Sequence, residues 1–328
     1  MRKIFMCFLA GLMCMTSLVG CAAPQQEATK RAEYPDNAHV EVPRDYTQER
    51  GENKGMTEFV EYETKDYRGN GESFKKQAMV YLPHGYDQED TETKYNVLYM
   101  MHGGGGNEYE ALQSDNFQLV KILDHMFENG DAEPCIVVGI SYNNPHNGDA
   151  TACCQNFVEE FLNDLCPAIE LKYNTYLTGD SHKAIKSSRT HRAFGGFSMG
   201  AACTWWMFEQ ALDSIAYFLP VSGNCWAGDG VHMTEAVESF GLTKDDFLVY
   251  TAVGGWRPNS KGEYEGDMAT PNCDGMVADF KANASDMFVF CDNFKDGNIY
   301  YADYKNYWHY QYTVHMAVYD ALPKFFVY

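Results

Sequence analysis

Ser198 lies in Gly196-Phe-Ser-Met-Gly200, the G-x-S-x-G spacing that exposes a serine hydroxyl on a sharp turn between a strand and a helix. The five-residue pattern is common, so its flanks decide its meaning. An apolar run, residues 192–197, enters the motif and a helical run, residues 201–212, leaves it. A serine hydroxyl attacks a carbonyl only when a base takes its proton and donors already face the developing oxyanion. Met199, directly after the serine, offers a backbone N–H at a helix start, where such groups are free. Upstream, Met101-His-Gly-Gly-Gly-Gly-Asn107 follows another apolar run and matches the glycine loop that supplies a second N–H from either Gly103 or Gly104. His102 heads that loop and is a candidate to face the substrate.

A serine presented in this way has its acid and then its base later in the chain. Three histidines follow Ser198. His232 comes too early to leave room for an acid on a further strand, and His315 falls inside the apolar helical run 313–326, where a packed or surface role is expected. His309, in Asn306-Tyr-Trp-His-Tyr310, precedes that run in a loop-like position and is the expected base. The acid should lie beyond the strand-like run 247–253, in a stretch that carries Glu263, Glu265, Asp267 and Asp274. Spacing alone does not choose among the four.

These residues need a scaffold, and the chain alternates strand-like and helical segments in a way that supplies one. Runs 95–101 and 135–142 are almost continuously apolar, as strands covered on both faces are. Further strand-like runs occupy 77–83, 192–197, 247–253 and 287–291. Helical patterns at 112–127 and 156–171 fall between strands, the order of a mostly parallel sheet wrapped by helices. The expected fold is an α/β-hydrolase, as one domain over residues 56–328.

The 328 residues are 45% apolar and 15% aromatic, enough to bury a substantial core. With 25 Lys and Arg against 46 Asp and Glu, a formal net charge of -21, nucleic acid is not an expected partner. A neutral polymer or small ester suits such a field better. The first residues read Arg2-Lys3, then an apolar run ending Leu18-Val19-Gly20-Cys21. This is the pattern of a signal peptide over 1–20 with a lipobox, so Cys21 is the expected lipid attachment. The chain would then be exported and anchored at a bacterial envelope, with residues 21–55 as a polar, flexible tether. Eight cysteines follow Cys21 without a C-x-x-C pair, which gives no support to a zinc site and leaves disulfide pairing open. No metal or organic cofactor is expected.

From about residue 75 onward the chain resembles the bacterial feruloyl esterases of carbohydrate esterase family 1, the esterase D-like group. The resemblance rests on the glycine loop at 101–105, the elbow around Ser198, Ser222-Gly-Asn-Cys-Trp226, and Tyr319-Asp-Ala-Leu-Pro-Lys-Phe-Phe326. It implies a serine esterase that releases hydroxycinnamic acids such as ferulic acid from plant polysaccharide such as arabinoxylan. An acetylxylan esterase of the same fold is the alternative, and a non-catalytic glycan-binding lipoprotein the rival from another class. The resemblance also implies His309 as base, Asp267 as acid with Asp274 next, and Trp226 as an aromatic wall for a phenolic ring. The chain departs from the family in residues 256–265, inserted ahead of Asp267, and in Tyr310 and Gln311, where the family has tryptophans.

Overall fold

The computed structural model describes residues 41–48, 53–258, 260–261, 264–305 and 307–328. In chain order the elements are β1 (Met56–Lys65), β2 (Ser73–Leu82), β3 (Asn96–Met101), α1 (Glu110–Asn129), β4 (Cys135–Ile140), α2 (Ala150–Gln155), α3 (Phe157–Glu160), α4 (Cys166–Glu170) and α5 (His182–Ser187). There follow β5 (Arg192–Phe197), α6 (Met199–Ala211), β6 (Tyr217–Val221), α7 (Gly230–Ser239), β7 (Leu248–Gly254), β8 (Trp256–Pro258), β9 (Tyr264–Gly266), α8 (Thr270–Asn283), β10 (Ile299–Tyr304) and α9 (Gln311–Ala321). Eight strands form one sheet in the order β1-β2-β4-β3-β5-β6-β7-β10, and β8 and β9 pair separately. From β4 to β10 all neighbours run parallel, while β1 and β2 are antiparallel. This is the expected α/β-hydrolase arrangement.

Burial explains which runs became central. Every residue of β4, β5, β6 and β7 is buried, because helices cover both faces: α1 and α9 on one, α2 to α8 on the other. On the second face Trp205 and Phe208 of α6 pack with Phe218, Phe247, Phe280 and Phe288. The outer strand β1 instead alternates buried Val60, Tyr62 and Thr64 with exposed neighbours, the signature of an antiparallel edge with one wet face.

Two expectations need correction. The run 287–291 is not a strand: Met287 closes a turn onto Ala284, Phe288 drops into the aromatic cluster, and only Phe290 bridges to Ile299. The edge strand is β10, eight residues later. Nor does the expected tether reach residue 55 unattached. Arg44–Thr47 forms a short 3-10 helix whose Tyr46 is buried, stacked on His125 at 4.8 Å and edge-on to Tyr319. The expected signal peptide over residues 1–20 and Cys21, the expected lipid attachment, lie outside the described residues.

Candidate active site

The carboxyl ends of the parallel strands carry the candidate chemistry. Ser198 caps β5 at φ 56°, ψ -111°, a conformation that non-glycine residues adopt at a cost of about 1 to 3 kcal/mol. The two motif glycines make the turn possible. A Cβ on Gly196 would lie 2.4 Å from the Gly200 carbonyl oxygen, and one on Gly200 would lie 2.5 Å from that of Met101. Helix α6 can therefore start directly beneath the glycine loop only because both positions lack a side chain.

Three residues from three loops converge there. His309 Nε2 is 2.9 Å from Ser198 Oγ, and His309 Nδ1 is 2.8 Å from Asp267 Oδ1. The imidazole rests against Phe197, with ring centroids 4.7 Å apart. Its loop is pinned by the Thr313 hydroxyl, which donates to the Trp308 carbonyl at 2.7 Å. Asp267 is fully buried. Burial alone would raise its pKa, but hydrogen bonds from His309, from the Ser222 hydroxyl and from the Ala269 N–H outweigh it and hold the carboxyl below its ordinary range. The Gly254 N–H adds a further donor at 3.0 Å. Ser222, at φ 57° on the turn after β6, heads one of the segments that carry the resemblance, yet its role as a support of Asp267 comes from a contact that the sequence does not show.

Glu263 lies outside the described residues, and Asp274, His232 and His315 lie away from Ser198. Asp274 accepts from Tyr301 at 2.8 Å on α8, and His232 pairs with Glu209 on the surface at 2.6 Å. His315 is buried in α9 against Gln118, and burial pushes its pKa down to about 4. Between the unfolded value near 6.5 and about 4, the unfolded chain therefore binds a proton that the folded chain refuses. The stability contributed by neutral His315 is fully present above about pH 6.5 and is lost as pH falls towards 4, up to about 3 kcal/mol. Urea denaturation should show a shallower decline between pH 7 and 4.5 for His315→Gln than for the wild type.

The glycine loop resolves the choice between Gly103 and Gly104. Gly103 abuts Ser198, but its N–H already donates to Glu110 Oε2 at 2.9 Å. It is thus corrected from donor to spacer. Gly104 is exposed, and its N–H, like that of Met199, has no protein acceptor among the described residues. His102 is also corrected: it is buried, its Nε2 is 2.9 Å from Ser141 Oγ and its Nδ1 2.6 Å from the Gly103 carbonyl oxygen. It braces the loop from below and cannot touch a substrate. Trp226 is 50% exposed, edge-on to Trp206 and hydrogen-bonded to Asn224. Its loop crosses the nucleophile, since a Cβ on Gly223 would lie 2.7 Å from the Ser198 carbonyl oxygen.

Glu110 has no sequence signature either. While one oxygen holds Gly103, the other accepts from Gln311 Nε2 at 2.7 Å, so a single carboxyl group ties the glycine loop to the residue two beyond His309. Glu110→Ala should lower kcat on an ester by about tenfold to a hundredfold, the effect of losing a charge-assisted hydrogen bond, with KM within about threefold. Steady-state kinetics would check it; a change confined to KM would show that the clamp serves binding alone.

The arrangement can take a proton from a serine hydroxyl, steady the imidazolium through a buried acid, and meet an oxyanion with two N–H groups. Comparison with known proteins agrees with that chemistry. A family model described as "Putative esterase" matches residues 74–226. Endo-1,4-beta-xylanase Y of Acetivibrio thermocellus is 38% identical over 256 residues, covering 76% of this chain and 22% of that protein. The endo-1,4-beta-xylanase/feruloyl esterase of Xylanibacter ruminicola is 26% identical over 166 residues, 49% of this chain and 21% of its own length. The chain thus spans about a fifth of these curated relatives. Among solved structures, the feruloyl esterase module from Clostridium thermocellum, as a serine-to-alanine mutant complexed with sinapinate, is 33% identical with a TM-score of 0.74, over 90% of this chain and 96% of that one. A ferulic acid esterase from Anaeromyces mucronatus, 17% identical with a TM-score of 0.62 over 87% and 96% of the two chains, shares the fold. The chain therefore belongs with the bacterial feruloyl esterase modules of carbohydrate esterase family 1, as a serine esterase of the α/β-hydrolase fold.

Proposed function

We propose that this protein hydrolyses hydroxycinnamoyl esters, releasing ferulic acid from plant polysaccharide such as arabinoxylan. The observation that carries the reading is the continuous hydrogen-bonded line from Ser198 through His309 to buried Asp267. In the proposed cycle His309 Nε2 takes the Ser198 proton as Oγ attacks the ester carbonyl, and the N–H groups of Met199 and Gly104 receive the oxyanion. The imidazolium then returns its proton to the leaving alcohol. Water, deprotonated by His309, then attacks the acyl-serine, and the imidazolium returns that proton to Ser198 Oγ as the acid leaves. Asp267 keeps its charge throughout and holds Nδ1–H, which leaves Nε2 free to act as base. Half-exposed Trp226, on the loop across Ser198, offers an indole face for the phenolic ring.

The names of the similar proteins support the acyl preference, and the absence of a strong positive field suits a neutral polymer. The lipobox at Cys21 supports export and attachment to the envelope through lipid; a Cys21→Ala protein should move from the membrane to the soluble fraction of the producing cells. The acyl preference is tested by hydrolysis of methyl ferulate beside methyl acetate with purified full chain. We expect kcat/KM to favour ferulate by at least about tenfold; preference for acetate would retain the serine esterase and discard the phenolic substrate.

A further inference from the structure

We infer that a polar hollow on the far side of the glycine loop from Trp226 binds the carbohydrate part of the substrate, the sugar residues attached to the leaving alcohol. The inference rests on the feruloyl esterase reading above. The hollow measures about 480 Å³, and its walls include Glu61, Phe74, Lys75, Gln77, Asn143 and Asn144.

Its position follows from the topology. Strand β2 runs antiparallel to β4 with Met79 opposite Gly139, so the first residues of β2 lie beside the carboxyl end of β4. The hollow therefore opens on the same edge of the sheet as Ser198, where α/β folds bind ligands. Along that edge the order is β2, β4, β3, β5, β6. With neighbouring strands about 4.8 Å apart, β4 lies roughly 10 Å and β2 roughly 14 Å from β5, which carries Ser198. Trp226 follows β6, on the opposite side. An ester carbon bears two arms, acyl and alkoxy, that leave in different directions. With the phenolic arm over β6, the alkoxy arm crosses the glycine loop towards β4 and β2, a distance that a short oligosaccharide spans and a methyl group does not.

The wall between site and hollow is shared. Asn143 Nδ2 donates to the Gly106 carbonyl at 2.9 Å and the Tyr142 hydroxyl to that of Gly103 at 3.1 Å, so the loop that offers Gly104 to the oxyanion turns its other side to the hollow. The lining chemistry fits sugar hydroxyls, each of which both donates and accepts. Asn143 and Asn144 each keep one amide N–H beyond those given to Gly106 and Asp66. The Gln77 amide, whose N–H groups go to Glu108 and Tyr109, accepts through its oxygen, Glu61 accepts and Lys75 donates. Both lysines of the lining are paired, Lys75 with Glu61 and Lys76 with Glu160, and Glu108 adds a further acid, which makes the hollow a poor anion site and a suitable one for a neutral glycan. Phe74 adds an apolar face for a sugar ring.

The test is the double variant Glu61→Ala/Lys75→Ala, whose side chains are more than half exposed and touch no catalytic group. For the full chain we expect kcat/KM on a feruloylated arabinoxylo-oligosaccharide to fall about tenfold, as for loss of two polar contacts, while that on methyl ferulate stays within twofold. Binding of the unesterified oligosaccharide, followed by calorimetry on Ser198→Ala protein with and without the double change, should weaken in parallel. Equal kinetics for variant and wild type on the oligosaccharide, or an equal fall on both substrates, would overturn the inference. Should the wild type fail to cleave methyl ferulate, the esterase reading falls by itself. The hollow is then judged on binding alone, where oligosaccharide affinity that the double change abolishes supports it and no affinity refutes it.

Discussion

Ser198→Ala should lower kcat on methyl ferulate by roughly six orders of magnitude, the scale seen when a nucleophile that works as a unit with its base is removed. The change is clean because alanine keeps the Cβ: the φ of 56° at this position is no worse for alanine than for serine, and the Oγ it loses is bonded to His309 rather than to the core. Thermal stability should therefore move by less than about 1 kcal/mol. Residual catalysis above that of water would measure the contribution of Met199, Gly104 and substrate binding. Turnover within tenfold of the wild type would remove Ser198 as nucleophile.

Asp267→Asn is expected to cost about 10⁴ in kcat, through the wrong imidazole tautomer, and also to destabilise the fold. The donors around this carboxyl explain the second effect. Oδ1 receives His309 and the Ala269 N–H, and Oδ2 receives Ser222 and the Gly254 N–H. Wherever the asparagine NH2 is placed, it faces a backbone N–H that cannot turn into an acceptor. One buried donor is left unsatisfied, a cost of about 1 to 3 kcal/mol. Steady-state rates and chemical denaturation on the same preparation would check both, and an unchanged unfolding midpoint would show that the pocket relaxes around the amide. Acid should act in the same direction: with its folded pKa depressed, Asp267 contributes stability above its unfolded pKa and loses it as pH falls through the folded value.

What could be read in the sequence is what has a period or a fixed spacing. Continuous apolar runs marked β3, β4, β5 and β7, and the elbow and glycine loop marked their own turns. Strand β6 escaped because Tyr217-Phe-Leu-Pro-Val221 carries a proline in mid-run. The structure accommodates it by pairing with β7 through Tyr217, Phe218 and Val221 and leaving out Leu219 and Pro220, the second of which has no N–H to give. The run 287–291 misled because apolarity reports burial, and Phe288 is buried in a side-chain cluster instead of a ladder. At the site, partners in space were the hidden part. Nothing local to Gly103 shows that Glu110 has taken its N–H, and nothing local to His102 shows that Ser141 and the Gly103 carbonyl engage both nitrogens. Ser222 matters through a contact 45 residues away in sequence, and Glu110 by joining Gly103, seven residues away, to Gln311, 201 residues away.

The segment inserted ahead of the acid leaves the sheet at Gly255 and comes back to the same point. Trp256 faces Gly266 in the β8–β9 pair, and the Asp267 N–H closes onto the Gly255 carbonyl at 3.1 Å. The excursion is thus a detour with a shared entrance and exit, and the cost of closing such a detour rises only slowly with its length. Its tip can be shortened, extended or exchanged while Asp267 stays seated on Gly254. Evolution, or an engineer, has here a cassette beside the reacting centre in which new side chains can be tried without retuning the chemistry.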